Sequence, residues 1–155
     1  MPAFDKGGTP RTPFGVNEYL RSTQDVKKDS YTMAKTGIPS ETIDGNTEKV
    51  LQPGTAIAKI TSGADSGKVG AYDTTATDGR QTLANVVGIN DTFLPWQLLE
   101  RDVEIAVTYE AAVVQAWCFQ YTAGVRAALT NTTRDAIVAA ALVDSCWDTM
   151  ACTSA

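Results

Sequence analysis

From about residue 50 onward, apolar and polar side chains alternate in short runs, the period-two signature of strands with one buried face. TAIAKIT (55–61) sets Ile57 on one side and Ala56, Ala58 and Ile60 on the other. SGADSG follows as a turn. Residues 68–73 and 84–90 are the next strand candidates, separated by DTTATDGRQT with its Asp78-Gly79 turn. The cleanest alternation is DVEIAVTYEAAVVQAWCFQY. Val103, Ile105, Val107 and Tyr109 share one face, with Glu104, Ala106 and Thr108 opposite. After Glu110-Ala111, the residues Val113, Gln115, Trp117 and Phe119 line a return strand, so the pattern predicts a long antiparallel hairpin. The period then changes. TRDAIVAAALVDS reads as an alanine-rich helix capped by Asn131-Thr132-Thr133, with Ile137, Val138, Ala141 and Leu142 on the face that covers the sheet. SCWDTMACTSA is a loose tail with Trp147 as its anchor.

Residues 1–49 follow neither pattern and read as an extended N-terminal arm ahead of a β-rich domain over 50–155. Four of the six prolines (Pro2, Pro10, Pro13, Pro39) fall there, with Gly7, Gly8, Gly15 and Gly37. Such a composition lacks backbone donors and is costly to order, so it builds no core of its own. Yet Phe4, Phe14, Val16, Tyr19, Leu20, Tyr31 and Met33 are spread along it at extended-chain spacing, which a plain linker does not need. These seven are the candidate contacts of an arm captured on another protein; the competing reading packs the arm on its own body as extra edge strands. FGVNEYLRSTQDVKK could hold a short helix with Asn17 as N-cap and Leu20 on one face. FLPWQLL (93–99), interrupted by Pro95, is either a lid over the core or a subunit contact. It makes Phe93, Trp96, Leu98 and Leu99 the candidate trimer-interface residues.

Composition narrows the function classes. The apolar share of 43% and charged share of 20% are those of a folded protein, and 155 residues fit one domain with an appended arm. The formal charge of −5 is uneven: residues 1–49 carry seven basic and seven acidic residues, residues 50–155 six and eleven. An acidic body argues against nucleic acid or an anionic membrane as a direct partner. The absence of histidine removes the usual general base and the commonest metal ligand. Cys118, Cys146 and Cys152, odd in number and without a C-x-x-C, read as reduced thiols of a protein assembled in a cytoplasm. MPAFDKGGTPRTPFG has no apolar core segment, which predicts no secretory leader.

Each candidate chemistry has a plainer explanation. Gly63-Ala64-Asp65-Ser66-Gly67-Lys68 is one residue short of a phosphate loop, carries Val69 in place of the magnesium-binding hydroxyl and leads into a strand, so it reads as a hairpin turn. Asp73 and Asp78 lack the closing glutamate of a calcium loop and read as turn formers. Glu100, Asp102 and Glu104 read as a solvated strand edge rather than an acid–base pair. No catalytic residue, metal or cofactor is assigned.

The order of VLQPGTAIAKIT, GKVGAYD, ATDGRQT, VVGI and DVEIAVTYEAAVV resembles the lambda-type head decoration proteins of tailed bacteriophages, over about residues 50–143. The resemblance implies a mainly β fold: a small barrel or β-tulip-like body with a C-terminal helix and an extended N-terminal arm. It also implies a structural virion protein, assembled in the host cytoplasm. As a homotrimer it would sit at three-fold and quasi-three-fold sites on the outer capsid surface and stabilise the expanded head. Its arm would contact the major capsid protein. The arm is longer here than in the shortest family members, and the sequence after Leu142 departs from the pattern. The alternative is a β-rich surface adhesin that binds a receptor or glycan.

Overall fold

A computed structural model of the chain describes residues 19–43, 45–94 and 100–141. Five strands close into a barrel: β1 (Lys27–Met33), β4 (Ala56–Lys59), β5 (Val69–Ala71), β6 (Val86–Asn90) and β7 (Val103–Glu110), in the order β1-β5-β4-β6-β7. Two separate hairpins, β2 (Ser40–Ile43) with β3 (Asn46–Lys49) and β8 (Phe119–Thr122) with β9 (Val125–Ala128), are the other strands among the described residues. One helix, α1 (Asn131–Ala141), packs on β6 and β7. The mainly β barrel with a C-terminal helix is the class the alternating pattern predicts.

The seam between β1 and β7 sets the geometry. Seven registered pairs run antiparallel from Lys27↔Glu110 to Met33↔Val103. Paired residues share a face, so Asp29, Tyr31 and Met33 point inward with Val107, Ile105 and Val103. Below them Met33, Leu51, Ile57, Val69, Ile105 and Val107 fill the lumen. A second cluster lies outside the wall, where Ala58, Val86, Ile89, Val113, Leu129 and Ile137 are buried together.

Two motif glycines are explained by close approach. A Cβ on Gly70 of GKVGAYD would lie 2.9 Å from the Gly37 Cα, where a loop crosses β5. A Cβ on Gly88 of VVGI would lie 2.4 Å from the Thr108 carbonyl oxygen, opposite the register shift between Ile57 and Ala58. A side chain at Gly70 would push the Gly37 loop away, and one at Gly88 would force β7 outward.

The structure corrects five expectations. First, the division at residue 49 does not hold: β1 lies inside the proposed arm yet closes the barrel between β5 and β7. Without it both would be open edges. Second, the described part of FGVNEYLRSTQDVKK is not helical. Leu20 bridges to Val113, the chain turns through 23–25, and Lys27 and Lys28 begin β1. Third, β7 has no return strand. Its two sides are taken by β1 and β6; Val113 pairs with Leu20, Gln115–Trp117 forms a 3-10 turn, and Phe119 opens β8. A tight hairpin needs left-handed residues, which Glu110-Ala111 does not supply. Ala123 (φ 53°) and Gly124 (φ 72°) do supply them, and that is where the chain makes a hairpin. Fourth, Glu104 does not guard a free edge, because β7 is paired on both sides; it accepts from the Ser30 and Thr32 hydroxyls across the seam. Fifth, the helix is capped by Thr130, whose Oγ1 accepts from the Thr133 amide at 3.2 Å. The Thr133 hydroxyl in turn donates to Gln120 Oε1 at 2.7 Å, fastening the first turn to β8.

Candidate functional site

The predicted contact residues separate into two groups. Phe4, Phe14, Val16, Trp96, Leu98 and Leu99 lie outside the described residues. Tyr19, Leu20, Tyr31, Met33 and Phe93 are described, and the first four pack on their own molecule. Tyr19 is 1% and Met33 0% exposed, Leu20 packs against the outer cluster and Tyr31 against the lumen cluster. They are therefore fold residues rather than a captured strand. Phe93 is half-buried beside the buried Leu94, which bridges to Leu51.

Tyr19 marks where the preceding segment is rooted. Its hydroxyl donates to Asp91 Oδ1 at 2.5 Å and lies 3.0 Å from the Thr108 hydroxyl; Lys28 Nζ holds the other Asp91 oxygen at 2.5 Å. Its carbonyl accepts from the Val114 amide at 2.7 Å, and the Arg21 amide donates to the Ala112 carbonyl at 2.9 Å. Burial, then the Asp91 carboxylate, raises the phenol well above its ordinary range, so it stays a donor. Three chain segments meet at this knot. Beside it Trp117 stands 56% exposed, at the end of the segment that pairs with residues 19–21.

The groups that suggested chemistry are tied into the fold. Gly63–Lys68 is the β4–β5 turn, and Lys68 pairs with Asp65 at 2.7 Å and with Asp102 at 2.6 Å. Asp73 accepts from the Thr75 amide and hydroxyl, both at 2.8 Å, and from the Gly124 amide at 2.9 Å and the Ala123 amide at 3.2 Å, locking the β8–β9 turn to the barrel. Asp78 holds Arg80, whose guanidinium donates on to the Gly37 and Ala71 carbonyls. Arg126 forks onto both Glu41 oxygens (3.3 and 2.8 Å), donates to Gln52 and lies 4.1 Å over the Phe119 ring, joining the two hairpins. Burial pushes the Cys118 thiol up to about 12, leaving it a protonated, unreactive core residue at neutral pH. Among the described residues no three Cys, Asp or Glu side chains gather as a metal site, and no helix is long and apolar enough to cross a membrane.

Asp91 and Arg126 escape sequence reasoning because their partners lie far along the chain. Asp91 reads locally as a turn residue. Only its pairing with Tyr19, 72 positions away, makes it an anchor.

Searches of protein-family models, curated proteins and solved structures returned no match.

Proposed function

We propose that this protein is a structural virion component, a trimer on the exterior of the expanded phage head that reinforces the shell. The reading rests on the ordered run VLQPGTAIAKIT, GKVGAYD, ATDGRQT, VVGI and its resemblance to head decoration proteins. One structural observation supports it: those motifs are consecutive parts of a single small barrel. GKVGAYD and VVGI supply the close-approach glycines, and ATDGRQT supplies the Asp78–Arg80 brace. A rigid body whose charged groups brace its own loops suits a load-bearing role better than turnover.

The closed barrel changes how such a protein would engage a shell. The barrel is closed, with β1 held along its length to β7 and joined to β5 at Met33↔Val69, so strand addition would go through residues 1–18 or the outer edges of the two hairpins. Three copies of a modest contact, held in one trimer, give tight overall attachment through effective concentration. Phe93, with Trp96, Leu98 and Leu99, remains the candidate contact between copies.

Two measurements test the reading. Light scattering should give three times the 16.5 kDa chain mass. The full chain should co-sediment with expanded, undecorated phage heads but not with unexpanded ones, and should lose that binding without residues 1–18. A monomer that leaves expanded heads bare would refute the proposal.

A further inference from the structure

Most charged side chains of the described residues are tied to another: Lys27 to Glu110, Lys28 to Asp91, Arg80 to Asp78, Arg126 to Glu41. At one mouth of the barrel Asp29 and Lys59 are in no such pair with another described residue. Asp29 and Tyr31 of β1, Lys59 of β4, Val86 and Val87 of β6 and Tyr109 of β7 line a cavity of about 540 Å³, which Ala84 and Asn85 ahead of β6 and Ala140 of α1 complete. Strand parity places Asp29, Tyr31 and Lys59 on the inner wall. Asp29 and Tyr31 pair with the lumen residues Val107 and Ile105 and Lys59 with the lumen residue Val69, while Tyr109 sits at the register shift where Lys27 pairs with Glu110 and Lys28 with Thr108. The cavity thus sets small apolar side chains, Ala84, Val86, Val87 and Ala140, beside a polar ring of Asp29, Tyr31, Lys59, Asn85 and Tyr109. Burial, then Asp29 and Tyr109, raises the Tyr31 phenol above its ordinary range, as expected of three groups that crowd one opening. Among the described residues, the side chains of Asp29, Tyr31, Lys59 and Tyr109 make no hydrogen bond or ion pair with one another or with any other side chain.

Barrel mouths are favoured small-molecule sites, and the volume falls within the usual range of about 300–1,000 Å³. The rim specifies the occupant. Asp29 only accepts, Lys59 only donates, and the two phenols do both, so a ligand must carry groups that both donate and accept. An anion would meet Asp29 and a cation Lys59, which favours a neutral ligand. An aliphatic ligand would strand both charges without partners. A sugar ring meets each condition: hydroxyls for the rim, and a C–H face for the phenol rings and Val87.

We propose that this mouth binds a single neutral pyranose unit, the end of a glycan chain, between Asp29, Lys59, Tyr31 and Tyr109. The inference does not depend on capsid binding, and its test uses no capsid. Saturation-transfer NMR on the full chain, with methyl β-galactoside, methyl α-glucoside and methyl N-acetyl-β-glucosaminide as probes, should show saturable binding of at least one, with Kd on the order of 1 mM, as befits a shallow single-ring site. Asp29→Asn and Tyr109→Phe, chosen to keep shape, should each weaken it about tenfold at unchanged Tm, while Trp117→Ala, on the exposed aromatic outside the mouth, should not. No saturable transfer from any probe, or transfer that survives both mouth variants or is lost with Trp117→Ala, would overturn the proposal.

Discussion

At Asp73 four donors converge on one carboxylate that is 6% exposed. Burial alone would raise its pKa. The bonds from Thr75, Gly124 and Ala123 outweigh burial and hold the carboxyl below the usual range. A depressed folded value means that the stabilisation is complete above the unfolded pKa of about 4 and drains away as pH falls through the folded one. Asp73→Asn keeps one acceptor and turns an NH₂ toward the remaining donors. It should cost about 1–3 kcal/mol in urea unfolding at pH 7, and the gap to the unaltered chain should narrow at pH 3. Cys118 makes the opposite case, a group silenced by burial alone. Iodoacetamide at pH 8 should leave it unmodified in the native protein and label it fully in urea, as read by peptide mass spectrometry. In sequence Asp73 was legible as a turn former, but not as the clasp between two hairpins. The donors at Ala123 and Gly124 come from 50 and 51 positions away and carry no local signature.

Among the elements, β4 and the start of β7 were legible because their alternation is strong and their inward residues are aliphatic. β1 was not. KKDSYTM reads as a polar arm since its inward positions are Asp29, Tyr31 and Met33, and only Met33 is deep in the lumen. Toward the mouth an inward-facing position still meets water, so a carboxylate is tolerated there and the hydrophobic pattern fades. What hid the strand is thus the feature that makes the mouth polar. Because β1 closes the barrel, two truncations should differ sharply. Removing residues 1–18 should leave a cooperative unfolding transition within about 1 kcal/mol of the full chain in denaturant. Removing 1–33 takes out the strand between β5 and β7 and should abolish the cooperative transition. Gly88→Ala probes the opposite wall. With the Thr108 oxygen 2.4 Å from the new methyl, β6 must move off β7, at a cost of about 1–3 kcal/mol by urea unfolding.

For the molecule as a whole, the strand-rich class and the terminal helix could be read from periodicity, whereas closure could not. Closure is a pairing between residues far apart in the chain, and nothing in KKDSYTM names VEIAVTYE as its partner except parity once both are placed. The Tyr19–Asp91–Lys28 knot and the Arg126–Glu41 fork are of the same kind, since each joins segments separated by 63 or more positions. The local glycine and turn chemistry explains why individual hairpins form. The long-range contacts decide that they form one body.

That arrangement has a temporal side. Because β1 is stapled along its length to β7, a ribosome must deliver residue 110 before the earliest strand finds its mate. Until then the emerging polypeptide carries a bare strand and a half-built hydrophobic interior, and loop-closure entropy must be met over about eighty intervening residues. Folding should therefore begin late and be slow for a chain of this size, with the interval before sealing as its aggregation-prone stage.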